Sequence, residues 1–155
     1  MDQREHWRTI ATNFYRAFCP DKMGEIGYID FNYPVRDVCI EKGTRLWGFK
    51  DPRVSPLAAT SQVTVSFFCI PGTPIDILGV HRMGQLKAHP RAMPRALNEY
   101  EVLVTIPHAL ESVCADGLDF WSVPGQPHNV SGGGWQYKIP HAARYMRYTT
   151  PFPQR

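Results

Sequence analysis

The chain has 155 residues, 43% hydrophobic, 12% aromatic and 20% charged, a globular composition that excludes intrinsic disorder and suffices for one core. Its 14 prolines and 12 glycines argue against a helical bundle and for short strands joined by turns, while no apolar run is long enough to cross a bilayer and the first residues do not read as a signal peptide. The formal net charge of +3 favours an anionic small molecule slightly and is too small to imply nucleic acid.

In chain order, residues 2–18 read as an amphipathic helix, because Trp7, Ile10, Phe14 and Phe18 recur at three- and four-residue spacing before Cys19-Pro20-Asp21 stops the run. Residues 24–33 read as a loop or short strand, and residues 37–42 as a short strand or turn. Thr44 to Phe49 is a strand with Leu46 facing away from Arg45 and Trp47. A loop over 51–56, a helical turn over 57–62 and a β-branched strand over 63–68 follow, then a turn at Pro71-Gly72-Thr73-Pro74. After an apolar stretch over 75–80 and a basic, proline-punctuated one over 81–95, residues 99–106 form the clearest strand, with Tyr100, Val102, Val104 and Ile106 in alternation. A short strand or turn lies within 113–121, a strand over 135–139, and a short helix over 141–148. The fold expected is a single small α+β domain with an antiparallel, strand-rich core and an N-terminal helix.

Little conventional catalytic machinery is present. No serine stands in a G-x-S-x-G elbow, no histidine pair has metal-ligand spacing, and His89, His108 and His141 lie beside prolines as turn or surface residues do. The four cysteines, Cys19, Cys39, Cys69 and Cys114, form no CxxC pair and sit in apolar contexts, so buried free thiols are expected and a metal site is not. Glu99 and Glu101 share one face of a strand and read first as its solvated side, although paired carboxylates of this kind also serve ADP-ribosyl transfer. Arg45 beside Trp47 is either a surface arginine stacked on an indole or a clamp for pyrophosphate oxygens. The segment Ser131-Gly132-Gly133-Gly134-Trp135-Gln136-Tyr137 sets an amide between two aromatics after a sterically open backbone, whose N–H groups can face an anion.

The order of these motifs carries a resemblance. Thr44-Arg45-Leu46-Trp47-Gly48, then Ser66 to Pro74 ending in Gly-Thr-Pro, then Tyr100-Glu101-Val102, then Trp121, Pro124-Gly125 and the glycine triplet with Trp135-Gln136-Tyr137 are similar to the pattern of the tuberculosis necrotizing toxin family of NAD glycohydrolases. The likeness covers residues 43–141. It departs from the pattern in extra residues near 50–64, in Cys69-Ile70 where the family has Ser-Pro, and in Pro127 to Ser131 before the glycines.

The resemblance implies a fold related to ADP-ribosyltransferases, occupying 1–155 as one toxin domain with an N-terminal helical segment over 1–25 and a catalytic core over 43–148. It implies cleavage of the nicotinamide–ribose bond of NAD or NADP, which serve as substrates; no cofactor and no metal are expected. Gln136 and Arg45 take the catalytic positions, Gln136 at the nicotinamide-side ribose or the attacking water and Arg45 on the pyrophosphate. Phe67, Trp135, Tyr137 and Trp47 then enclose the rings, and Gly133 and Gly134 bring backbone close to the substrate. A mono-ADP-ribosyltransferase using Glu99 and Glu101, or a non-catalytic nucleotide-binding module, are the alternatives. A secreted or delivered effector acting in a target cell's cytoplasm, with a cognate immunity protein as partner and itself a monomer, completes the expectation.

Overall fold

A computed structural model describes residues 2–50, 67–78, 96–119 and 128–151. The expected elements over 51–66, 81–95 and 120–127, with Trp121 and Pro124-Gly125, lie outside them. Helix α1 runs Gln3–Phe18; the Asp2 side chain caps it by accepting the Glu5 N–H at 2.9 Å, and it stops where Cys19 turns to φ −153° ahead of Pro20. Ala11, Phe14 and Tyr15 point inward from it and pack with Cys19, Ile29, Phe31, Val35 and Leu110 as one core cluster.

The chain from Pro20–Tyr28 is a 3-10 helix rather than the loop or strand expected from residue 24 onward. Only its end is strand-like. Ile29 bridges Cys114, the Asp30 N–H donates to the Val113 carbonyl at 2.8 Å, and the Ala115 N–H donates to the Tyr28 carbonyl at 2.9 Å.

The strands are β1 (Arg36–Ile40), β2 (Arg45–Lys50), β3 (Phe67–Phe68), β4 (Ala96–Val102), β5 (Ile106–Val113), β6 (Gly117–Asp119), β7 (His128–Val130), β8 (Trp135–Lys138) and β9 (Met146–Pro151). One sheet runs β1-β5-β8-β3, a second β2-β4-β9, and β6 pairs with β7. All of these pairings are antiparallel. Among the described residues the bridge Trp47 to Cys69 joins the first two sheets through reciprocal N–H to carbonyl bonds of 2.8 Å. Side chains directly opposite in an antiparallel pair lie on the same face, so this bridge carries each face from one sheet into the next. One face holds Leu46, Phe68, Tyr100, Val102, Ile106, Ile139 and Met146 as the larger core. The other is covered at its β5–β8 end by α1 and the 3-10 helix.

Two expectations fail for tertiary reasons. The alternation read over 99–106 is broken after Val102: Leu103 and Val104 are 45% and 56% exposed, and their N–H groups both bond the Tyr145 carbonyl, at 2.7 and 3.3 Å. That bend sends β4 and β5 into different sheets. The helix expected over 141–148 is a single 3-10 turn, Ala142–Arg144, followed by β9, which pairs with β4 along Tyr100–Tyr148 and Val102–Met146. Among the thiols, Cys19, Cys69 and Cys114 are buried as expected, whereas Cys39 is exposed.

Candidate active site

Strand β8 places the central residue. It reads Trp135-Gln136-Tyr137-Lys138, and the period of two turns Gln136 and Lys138 to one face and Trp135 and Tyr137 to the other. Gln136 is 4% exposed, and its Nε2 donates to the Tyr28 carbonyl and the Ser112 hydroxyl oxygen, both at 3.3 Å. Ser112 stands directly opposite it on β5 and is wholly buried. A carbonyl can only accept, so the atom facing Tyr28 must be the amide nitrogen. With Nε2 engaged on two protein acceptors, the carbonyl Oε1 is the amide's accepting atom.

Arg45 reaches the same face through the bridge. Continuing the β3–β8 register one residue past Phe68 brings Cys69 level with Gln136; Cys69 pairs with Trp47, and Arg45 is two residues from Trp47 along β2. Arg45, Trp47, Cys69, Gln136 and Ser112 therefore follow one another across a single face. Phe67 joins them: it pairs with Lys138, its ring meets Tyr28 edge-on with centroids 6.2 Å apart, and the Lys138 ammonium lies 5.6 Å from its centroid. The resulting strip begins under the 3-10 helix at Tyr28 and ends at the Arg45 row.

Trp135 and Tyr137 do not belong to this strip, which corrects the picture of an amide sandwiched by its sequence neighbours. Trp135 is 40% exposed on the opposite face. Tyr137 packs against the larger core and donates its hydroxyl to Glu111 at 2.8 Å. Adjacent positions in a strand face apart, so the flanking aromatics cannot close on one ligand with Gln136.

The glycine triplet also differs from expectation. Its N–H groups are engaged inside the chain: Gly132 on the Asp116 carboxylate at 2.7 Å, Gly133 on the Cys114 carbonyl at 2.8 Å, Gly134 on the Ile77 carbonyl at 2.9 Å. A Cβ on Gly132 would overlap the Cys114–Ala115 backbone, one on Gly134 would press on Ile77, and Gly133 sits at φ +105°. These glycines let three chain segments meet, and so fix the strand that carries Gln136.

The charges near Arg45 are paired. Its guanidinium meets Glu99 at 3.0 Å, and Glu99 also accepts from the Thr149 hydroxyl. Glu101 accepts from Arg147 at 2.8 and 3.0 Å. The two arginine side chains are 48% and 61% exposed, so each pair contributes on the order of 0–1 kcal/mol and Arg45 can leave Glu99 for a stronger anion at small cost. Lys138 is different. Its ammonium is buried against Glu25, 2.8 Å away, and Glu25 also accepts from the Tyr15 hydroxyl at 3.1 Å.

Burial pushes the Cys114 thiol up to about 11, with Asp116 adding to it, and burial likewise raises Cys19 to about 11. Both stay protonated at neutral pH and are poor nucleophiles. Among the described residues no group of three His, Cys, Asp or Glu side chains is placed to hold a metal ion.

Sequence reasoning picked out Gln136, Arg45 and Phe67 but not Ser112, the Tyr28 carbonyl, Glu25 or Lys138. A lysine in strand phase with Gln136 was the available signal, since both polar residues alternate with aromatics.

The family model for bacterial toxin 46 matches residues 4–145. The chain is 30% identical over 132 residues to the NAD(P)(+) glycohydrolase toxin Tse6 of Pseudomonas aeruginosa, covering 83% of this chain and 29% of that protein. It thus spans under a third of the length of that curated relative. Its fold is like that in a solved structure of Tse6 in complex with Tsi6, with a TM-score of 0.69 and 22% identity over 97% of this chain and 98% of the other. With the match extending over most of its length, the chain belongs to the bacterial toxin 46 family.

Proposed function

We propose that this chain is an NAD(P)+ glycohydrolase toxin domain, on an ADP-ribosyltransferase-related fold, that releases nicotinamide and ADP-ribose. The observation that carries the reading is the Gln136 amide, fixed by Tyr28 and Ser112 on the same face as Arg45. Its similarity to a protein named as an NAD(P)(+) glycohydrolase toxin supports the same reading.

Nicotinamide departs neutral from a cationic ring, so the bond from ribose C1′ to the pyridine nitrogen breaks with both electrons going to nitrogen. The transition state is an oxocarbenium-like sugar, and water then supplies an oxygen to C1′ and loses a proton. That chemistry needs a bent substrate, a fixed dipole and a placed water more than it needs a nucleophilic side chain. Gln136 Oε1, the negative end of the amide, accepts from the attacking water or a ribose hydroxyl and faces the developing positive charge. Arg45 exchanges Glu99 for the pyrophosphate, and Phe67 and Trp47 supply ring surface on the same face. The domain acts on NAD or NADP as substrate, as a monomer, after delivery into a target cell's cytoplasm, and a producing cell protects itself with an immunity protein.

The test is purified protein with NAD or NADP, following nicotinamide release. Free ADP-ribose in stoichiometric yield without acceptor supports hydrolysis. Label on a macromolecule instead means ADP-ribosyl transfer, and thermal stabilisation by NAD without nicotinamide release means a binding module. The transfer reading, which needs Glu99 and Glu101, has both carboxylates held by arginines.

A further inference from the structure

Lys138 and Glu25 form a buried ion pair that the reaction above does not use. Lys138 is 3% exposed and Glu25 comes from the 3-10 helix, their charged atoms 2.8 Å apart. Taking two charges out of water costs several kcal/mol per ion, and apolar residues of similar volume generally do at least as well for stability. Stability alone therefore gives a weak account of this pair. Its position gives a better one.

Lys138 lies two residues along β8 from Gln136 on the same face, and Glu25 lies three residues before Tyr28, whose carbonyl receives the Gln136 amide. The contacts close a ring: Gln136 to Tyr28, back along the 3-10 helix to Glu25, across to Lys138, and along the strand to Gln136. Phe67 touches two of its members, edge-on to Tyr28 and under the Lys138 ammonium. Tyr15 ties the ring to α1 by its bond to the same Glu25 oxygen. The far end of the Tyr28 segment is pinned independently by the Ile29–Cys114 bridge. At the other end the ion pair, together with Met23 and Ile26 packed on the core cluster, holds the 3-10 helix against the sheet.

We infer that the Lys138–Glu25 pair is a positioning device that fixes the Gln136 amide and the Phe67 ring, an inference that rests on Gln136 being the working group of the proposed hydrolysis. An ion pair suits this task because its charge-assisted hydrogen bond is short and directed at one partner atom, whereas apolar packing names no single partner. Charge, rather than volume, is the property that matters.

Two variants test it. In Glu25→Leu/Lys138→Met both charges go together, so no buried ion is left unpaired and the loss of thermal stability is confined to the Tyr15 hydroxyl, which loses its acceptor. We expect kcat for nicotinamide release to fall roughly tenfold, below the roughly hundredfold that a 1 Å misplacement can cause, with KM within about twofold. Glu25→Gln keeps the shape and weakens the attraction, and its kcat falls by a smaller factor in the same direction. The second readout needs no activity: the side-chain amide proton pair of Gln136 in a proton–nitrogen correlation spectrum, identified by its loss in Gln136→Glu, moves or broadens in both variants. Parental kcat and an unmoved amide signal in Glu25→Gln overturn the inference, whatever the double variant does to stability. Should the parent release no nicotinamide, the hydrolase reading fails, and the amide signal still decides whether the pair positions Gln136.

Discussion

The two faces of strand β8 are made by four consecutive residues and could hardly differ more. On one side Gln136 and Lys138, both polar, are buried at 4% and 3% exposure and bonded to the N-terminal segment or to β5. On the other, Trp135 is 40% exposed and Tyr137 rests on the larger apolar core. Hydrophobicity alone would have ordered them the other way. A polar side chain is kept dry only where its hydrogen bonds are made, and ion burial is costly even then. The polar-inward face is therefore held by directed bonds, and the aromatic face by ordinary packing.

Substituting the centre of the first face tests this division most severely. Gln136→Ala should lower kcat for nicotinamide release by roughly 10²–10³, the loss seen when one preorganised polar group facing developing charge is removed. Folding should survive, because the Tyr28 carbonyl keeps the Ala115 N–H and only the Ser112 hydroxyl is left short of a partner. Steady-state kinetics alongside a thermal melt separate the two effects. Parental turnover in a folded Gln136→Ala protein would remove this residue from the chemistry and return the first face to a structural role.

Alkaline titration distinguishes the packing on the two sides. Burial raises Cys19, beside α1, from 9.0 to about 11, and raises Tyr100, in the larger core, from 10.0 to about 12. Each acid is held neutral in the folded chain and ionises more readily once unfolded. Their contributions are fully present below the unfolded values and are lost as pH climbs through the folded ones. The urea midpoint should stay level up to about pH 9 and then fall. Cys19→Ala should blunt the decline that starts near 9, and Tyr100→Phe the part that starts near 10. An unchanged midpoint through pH 11 would mean that neither acid is as well buried as its surroundings indicate.

Much of this was readable before the structure. The helix over 2–18, the strand bearing Arg45 and the strand beginning at Trp135 follow from period and breakers, because each is set by residues near in sequence. What failed depended on partners far away. The alternation through Leu103 and Val104 was a true local pattern, overridden when both N–H groups found the Tyr145 carbonyl. The C-terminal strand β9 forms because β4 offers it an edge. At the site, Gln136 and Arg45 came from motif order, but the idea that Trp135 and Tyr137 flank the amide confused neighbours in sequence with neighbours in space. Ser112 gave no local sign at all, sitting within a strand buried on both faces.

The finest test compares Ser112→Ala with Tyr137→Phe, each deleting one hydroxyl and little volume from opposite faces. Tyr137→Phe removes the 2.8 Å bond to Glu111 on the packed side, and a half-buried bond to a carboxylate contributes on the order of 1 kcal/mol. Its effect should appear in the melt, with kcat and KM within about twofold of the parent. Ser112→Ala removes the weaker 3.3 Å contact to the Gln136 amide, so its thermal effect should be the smaller of the two. Its kinetic effect should be the larger, a fall in kcat of about threefold, because the amide keeps only the Tyr28 carbonyl as an anchor and rocks about it. If the ranking inverted, with Tyr137→Phe impairing turnover and Ser112→Ala only softening the fold, the working surface would be the aromatic one, and the polar face would have to be explained as architecture.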